Sequence, residues 1–259
     1  MSYKEIITEV DQNYVGYITL NRPEQLNTFT YTLATELKDA LKKMDNDSKV
    51  RVIILKGSGR AFCAGIDVSG LKDKSTLEYR QWVEAMEEPL VFISQMKKPV
   101  IAQVNGAAVA NGCGLVAACD LAIASNKSKF GLTAINVGLN CVGPVVAVMR
   151  SVGRKRALEL LLTGDVIGAE EAKAIGLINR VVEPSTLEEK TKKWAYELAQ
   201  KSPIALQLAK SAYYVAEDMD YYRAFKYMNE VFARLCSTED AKEGIDAFLN
   251  KRPPQWKER

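Results

Sequence analysis

Apolar positions along this chain alternate between a strand period and a helix period. The stretch VGYITLN (15–21) is rich in β-branched and aromatic residues and runs into Arg22-Pro23, which predicts a strand ending at a break. In TFTYTLATELKDALKKMD (28–45), Leu33, Leu37, Ala40, Leu41 and Met44 recur three and four apart, the spacing of one helix face. VRVIIL (50–55) is a short continuous apolar run, the mark of a buried strand, and Gly57-Ser58-Gly59 turns the chain after it. Residues 74–96 predict a helix interrupted near Pro89. Val100–Val104 and Leu121–Ala124 predict two more strands, with a helix between them that starts near Asn111–Gly114 and includes Leu115–Ala118. Val145–Val152 and Lys155–Thr163 predict helices. From about residue 185 the pattern is helical almost to the end, with a Pro-Pro stop at 253–254.

Alternation of β and α through roughly the first 180 residues argues an α/β fold with mostly parallel pairing. No linker, low-complexity stretch or internal repeat divides the chain. The expected organisation is an α/β core over 1–185 with an appended helical region over 186–259, not two independent domains.

Composition narrows the chemistry. With 47% hydrophobic and 26% charged residues, the 259-residue chain is ordinary for a soluble globular protein. Its 35 basic and 32 acidic residues leave a net charge of +3, and no dense Lys/Arg block with interleaved aromatics occurs, so no nucleic-acid partner is expected. No apolar run reaches the ~18 residues of a membrane span. The opening MSYKEIITEVDQ is charged from the start and has no apolar signal core, which predicts a cytoplasmic protein. Cys63, Cys113, Cys119, Cys141 and Cys236 are odd in number and form no C-x-x-C pair, so reduced thiols are expected. Histidine is absent, which removes Ser-His-Asp and Cys-His catalysis and His-ligated zinc. No other metal-ligand constellation is present either. Any proton transfer must use carboxylates, Tyr, Lys, Cys or water.

Two glycine-rich turns follow predicted strands. In GSGRAFCAGIDVSG (57–70), Gly65 lets the chain turn sharply and brings the Ile66 N–H into the open. In VNGAAVANGCGLVAACD (104–120), a strand runs through Asn105-Gly106 into a helix start near Asn111–Gly114, where free N–H groups and the positive dipole end lie. GSGR lacks the third glycine of a dinucleotide fingerprint and the Gly-Lys-Ser/Thr of a P-loop. Either turn alone also fits a tight connection. Two backbone donors converging on one oxygen make an oxyanion hole.

The paired turns, with VGYITLNRPEQLN (15–27), AFCAGID (61–67), KPVIAQVNG (98–106), ALELLLTGDVIGAEEAKAIGLINRVV (157–182) and EGIDAFLNKRPPQW (243–256), resemble the crotonase (enoyl-CoA hydratase/isomerase) superfamily over nearly the whole chain. The resemblance implies a spiral of β-β-α repeats forming two nearly perpendicular sheets, with a C-terminal helical region for oligomerisation and CoA cover, and homotrimers or homohexamers. It implies an enzyme acting on an acyl-CoA thioester, with no cofactor beyond the coenzyme A of the substrate. The implied oxyanion donors are the N–H groups of Ile66 and Asn111, Asn standing where the family usually has Gly. The implied CoA contacts are Gln25, Leu26 and Asn27, the turn at Cys63, Ala64 and Gly65, and, near a subunit boundary, Phe248 and Lys251. Lys251 and Arg252 suit CoA phosphates as charge-assisted donors, and equally suit a solvated helix end.

The sequence departs from the family at two positions. The family's glutamate on the helix after the second donor is here Gly114, and the glutamate of its F-G-x-P-E stretch is here Ala134. General acid–base groups contribute about 10²–10⁴-fold each, so other groups are needed for hydration. Candidates are Asp67, Asn140, Cys141 and the helix residues Glu84, Glu87 and Glu88. The plain readings are a turn cap for Asp67, a small buried hydrophobe for Cys141 and a wet helix face for the glutamates. A hydratase or isomerase with relocated acid–base groups is the leading expectation. A decarboxylase or thioester hydrolase needing only the oxyanion hole, and a weakly or non-catalytic acyl-CoA binder, are the alternatives. The aromatics Tyr213, Tyr214, Tyr221, Tyr222, Phe225 and Tyr227 are read as helix packing, between subunits or onto the core.

Overall fold

The computed structural model of the chain describes residues 3–71 and 73–258. Met1 and Ser2, which open the N-terminal stretch read for targeting signals, lie outside the described residues. The elements in order are strands β1 (Ile6–Val10) and β2 (Val15–Leu20), helix α1 (Tyr31–Asn46), β3 (Val52–Gly57), β4 (Ala61–Cys63), α2 (Thr76–Gln95), β5 (Val100–Val104), β6 (Ala107–Val109) and α3 (Asn111–Ala118). There follow β7 (Leu121–Ser125), β8 (Lys129–Gly131), α4 (Pro144–Thr163), β9 (Val166–Gly168), α5 (Ala169–Ala174), β10 (Arg180–Val182), α6 (Leu187–Ala199), α7 (Pro203–Ala216), α8 (Tyr221–Cys236) and α9 (Glu239–Leu249). Three passes, β3-β4-α2, β5-β6-α3 and β7-β8-α4, repeat one pattern. The first strand of each pass joins a six-stranded sheet of order β1-β2-β3-β5-β7-β10, and the second joins a four-stranded sheet of order β4-β6-β8-β9. Pairing is parallel except at β1–β2 and β8–β9. This is the β-β-α spiral that the sequence resemblance implies.

The large sheet is covered on both faces, which is why its central strands read as continuous apolar runs rather than alternating ones. Ile53, Leu55, Val100 and Ala102 pack with Leu33, Leu37 and Leu41 of α1. Their neighbours Val52, Ile54 and Ile101 point the other way, against Leu187, Trp194 and Ala195 of α6. The first helix of the C-terminal region is therefore part of the packing of the sheet.

Helix boundaries differ from expectation where tertiary contacts intervene. α1 starts at Tyr31 rather than 28, because Thr30 accepts the Leu33 N–H at 2.9 Å as N-cap and Phe29 is drawn into a bridge with the 65–67 turn. The expected interruption of α2 does not occur: the helix runs through Pro89. Proline removes one helical hydrogen bond. A Ser75–Glu78 capping box and buried Met86, Leu90 and Ile93 hold the helix on both sides of that defect. The two expected helices at 145–152 and 155–163 are the two halves of α4, broken at Gly153 (φ 75°, ψ 165°).

One buried polar cluster ties α7 to the sheet. Asp120 accepts hydrogen bonds from Lys210 (2.7 Å), Tyr214 (3.1 Å) and the Val100 N–H (2.7 Å). α8 buries none of its residues and exposes Tyr221, Tyr222, Phe225 and Phe232. Among the described residues no helix is long and apolar enough to cross a membrane.

Candidate functional site

The 65–67 turn and the start of α3 meet. Gly65 has φ 108°, a conformation that favours glycine, and a methyl group on it would lie 3.0 Å from the Ala110 Cβ. Ala110 itself has φ 50°, unusual for a residue with a side chain, and its N–H donates to the Gly131 carbonyl at 2.8 Å. Each of these touching residues immediately precedes one expected donor. On the first turn, Phe29 donates to the Gly65 carbonyl and accepts from the Asp67 N–H, both at 2.8 Å, which skips Ile66 and leaves its N–H without a protein acceptor. On the second, Asn111 is the first residue of α3, and its cap residue Ala110 makes no side-chain hydrogen bond. Its N–H is one of the unpaired donors of a helix start. The structure thus brings the residues just before Ile66 and Asn111 together, and the Ile66 N–H has no backbone acceptor among the described residues. Asn111 adds something that the sequence did not reveal: the residue is 3% exposed and its Nδ2 is buried with no hydrogen-bond partner.

The loop at 25–27 lies against this turn. The Ala64 N–H donates to the Leu26 carbonyl at 3.0 Å. Gln25 is exposed and Leu26 half-buried. Asn27 is fully buried, and its side chain donates to the Ser58 and Ala61 carbonyls (2.9 and 2.8 Å) and accepts from the Arg22 N–H (2.8 Å). The Asn27 side chain therefore fastens the loop to the β3–β4 turn, and that fastening occupies both its amide nitrogen and its oxygen. Cys63 is buried, and burial pushes its thiol up to about 12, so from this residue only backbone is available. Phe248 is 82% exposed and Lys251 is exposed with φ 52°. Both stand at the end of α9, and no hydrogen bond or ion pair links them to the 25–27 loop. The neighbouring Arg252 pairs with Glu243 (2.6 and 2.8 Å) and Asp246 (2.5 Å) at the solvated end of α9.

The acid–base candidates separate clearly. Asp67 caps a short 3-10 turn through the Ser69 N–H (3.1 Å) and hydroxyl (2.6 Å), and pairs with Arg22 at 3.1 Å. Those Ser69 bonds, then Arg22, hold its carboxyl below the usual range, so it stays ionised as a turn cap and is a poor proton carrier. Cys141 is 3% exposed and burial raises its thiol pKa. That leaves it a buried hydrophobe rather than a nucleophile. Asn140 is half-buried with Oδ1 lacking a partner. Glu84 pairs with Arg80 (2.8 Å) and Glu88 with Lys38 (2.6 Å) on the exposed side of α2. Glu87 differs from both: it is half-buried and has no ion pair or hydrogen bond among the described residues, and burial raises its carboxyl pKa.

Position 114 is closed by the fold. A Cβ on Gly114 would lie 2.6 and 2.8 Å from the Cβ and Cα of Pro144, and 3.2 Å from Leu90 Cδ2. A carboxylate side chain has no room there without displacing the start of α4. Next to Pro144, a Cβ on Gly143 would overlap the Glu87 carboxylate. Glu87, Leu90 and Gly143 form one end of a cleft of about 600 Å³ that extends along α3 toward Asp120 and Tyr214. Ile66 and Asn111 do not line this cleft.

The same architecture recurs in known proteins. The sequence model of the family described as enoyl-CoA hydratase/isomerase matches residues 10–259. A crotonyl-CoA hydratase of Syntrophomonas wolfei is 36% identical over 254 residues, covering 97% of each chain. An (E)-benzylidenesuccinyl-CoA hydratase of Thauera aromatica is 35% identical over 247 residues, 95% of this chain and 96% of its own. The crystal structure of an enoyl-CoA hydratase from Mycobacterium smegmatis superposes with a TM-score of 0.95 at 36% identity, covering 98% of this chain and 99% of that one. By fold, sequence and the match over residues 10–259, the chain belongs to the enoyl-CoA hydratase/isomerase family of the crotonase superfamily.

Proposed function

We propose that this protein binds an acyl-CoA thioester with its carbonyl oxygen on the N–H groups of Ile66 and Asn111, and that the reaction proceeds through the enolate those donors stabilise, as hydration or isomerisation of an enoyl-CoA. The observation that supports the reading is the close approach of Gly65 to Ala110, the residues immediately before Ile66 and Asn111. Preorganised donors of this kind stabilise charge as it develops, without reorganisation during the reaction. In this reading the CoA runs past Gln25, Leu26 and the backbone at Cys63 and Ala64, and no cofactor beyond it is needed. The exposed apolar face of α8, with Phe248 on α9, is covered by neighbouring subunits of a trimer or hexamer, placing Phe248 and Lys251 over a partner's CoA. A cytoplasmic location suits its reduced thiols.

A second reading rests on the closure of position 114 by Pro144 and Leu90. Decarboxylation or hydrolysis of a thioester uses the same oxyanion hole with no carboxylate there.

The deciding experiment is mass spectrometry of products after incubating the protein with crotonyl-, methylmalonyl- and butyryl-CoA. Gain of one water on crotonyl-CoA is the expected outcome. Loss of carbon dioxide from methylmalonyl-CoA, or release of free CoA, establishes the second reading. Ile66→Pro removes the N–H donor, together with an isoleucine side chain that packs against the core, and is expected to lower turnover by about 10²–10³-fold. Unchanged turnover in that variant overturns the oxyanion assignment.

A further inference from the structure

We propose that Glu87 is the proton-transfer group of this enzyme, the carboxylate on α2 that does the acid–base work at a site whose α3 position is closed by Pro144. The inference rests on the acyl-CoA reading above and deepens it.

The geometry singles out one carboxylate among many. α2 presents Met86, Leu90 and Ile93 to the core, and Glu87 sits beside that buried stripe. Its carboxylate lies against Gly143, so closely that any side chain at 143 would overlap it. The next residue, Pro144, packs on Gly114, one turn beyond the donor Asn111 on α3. Leu90, one turn after Glu87 on α2, reaches the same glycine. Two independent chains of contact, through Gly143–Pro144 and through Leu90, therefore join Glu87 to the first turn of α3.

The surrounding charges do not account for it. Of the other charged groups in the cleft, Asp120 is bound by Lys210, and Arg150 is bound by Glu217 (2.8 Å) and Asp218 (2.7 Å). On its own helix Glu84 and Glu88 are exposed and paired. Among these charged groups of the cleft and of α2, Glu87 alone has no partner. A half-buried carboxylate with no hydrogen bond is costly for the folded state, and burial raises its pKa, which makes it a better proton acceptor than an exposed glutamate.

One carboxylate suffices for hydration. As the water oxygen bonds to the β-carbon, Glu87 takes a proton from that water. The C=C electron pair moves toward the thioester, giving an enolate held by the Ile66 and Asn111 N–H groups. Glu87, now neutral, returns the proton to the α-carbon, the enolate collapses to the thioester, and the carboxylate is regenerated. One water has been added and no other reactant is consumed.

The test measures three quantities on wild type, E87Q, E87L and the control E84Q: hydration of crotonyl-CoA, exchange of the α-protons of butyryl-CoA with D₂O followed by NMR, and the affinity for butyryl-CoA. The expected result is a loss of about 10² or more in both hydration and exchange for E87Q and E87L. Affinity for butyryl-CoA should stay within about threefold, the acidic limb should vanish from the residual pH–rate profile of E87Q, and E84Q should behave as wild type. Rates for E87Q and E87L within about threefold of wild type overturn the proposal, as does a wild-type protein that binds butyryl-CoA but exchanges none of its α-protons. In both of those cases the acyl-CoA reading itself survives. Failure of the wild-type protein to bind butyryl-CoA overturns that reading and this inference with it.

Discussion

Asp120 and Glu87 are both carboxylates lifted by burial, and they differ in company. Asp120 lies at the end of α3 under α7, where Lys210, Tyr214 and the Val100 N–H satisfy it. Burial raises it and Lys210 opposes the rise. Glu87 is raised by burial alone and has nothing opposing. A buried carboxylate with three donors is a fastener: it holds a helix to a sheet. A half-buried carboxylate without donors destabilises the fold slightly and remains free to exchange protons. Burial by itself does not separate structure from chemistry; the presence of partners does.

The sharpest way to break this contrast is Asp120→Asn. Lys210 would be left buried without its counter-charge, and the expected loss is about 3–5 kcal/mol of stability, read by urea unfolding. A loss below about 1 kcal/mol would mean that Asp120 is no fastener. Gly114→Ala tests the neighbouring claim that α3 has no room for a side chain. A methyl there meets Pro144 at 2.6 Å, and overpacking of this kind costs about 1–3 kcal/mol. A neutral substitution would show that Pro144 yields readily and that a carboxylate at 114 is not excluded by packing. The smallest effect is in the pH dependence. Glu87 has a folded pKa above its ordinary value of 4.5, so the folded state holds its proton more tightly than the unfolded state. Stability must therefore fall as pH rises through the interval just above 4.5, then level off once the group is ionised in both states. The difference in melting temperature between E87Q and wild type should grow across that interval. A difference independent of pH would remove the evidence for a raised Glu87.

Much of the fold was legible in the sequence because its long elements carry strong periods. Leu33, Leu37, Leu41 and Met44 announced α1, and the runs at 52–55 and 100–104 announced the central strands. The second sheet was not legible. Ala61–Cys63, Ala107–Val109, Lys129–Gly131 and Val166–Gly168 are three residues each, too short for any period, and they become strands only because the spiral stacks them. In the site, the two glycine-rich turns before Ile66 and Asn111 were legible because glycine-rich turns after strands are visible in one dimension. Asn27 could not be recognised as a buried clamp, since its three partners lie at Arg22, Ser58 and Ala61. Glu84, Glu87 and Glu88 were indistinguishable as letters on one helix.

The sequence by itself determined the alternation of strand and helix along the first two thirds of the chain, the absence of histidine, and which residues stand at 114 and 134, because each is a property of residue identity and local spacing. Only the tertiary structure decided which carboxylate is left without a partner. That depends on how α2 is rotated against its neighbours, which placed Glu87 on Gly143 and Glu88 against Lys38 of α1, while Glu84 pairs with Arg80 one turn before it on the same helix. Helix rotation is set by the summed packing of Met86, Leu90 and Ile93 against the core, an energy spread over many weak contacts that no local pattern of letters encodes.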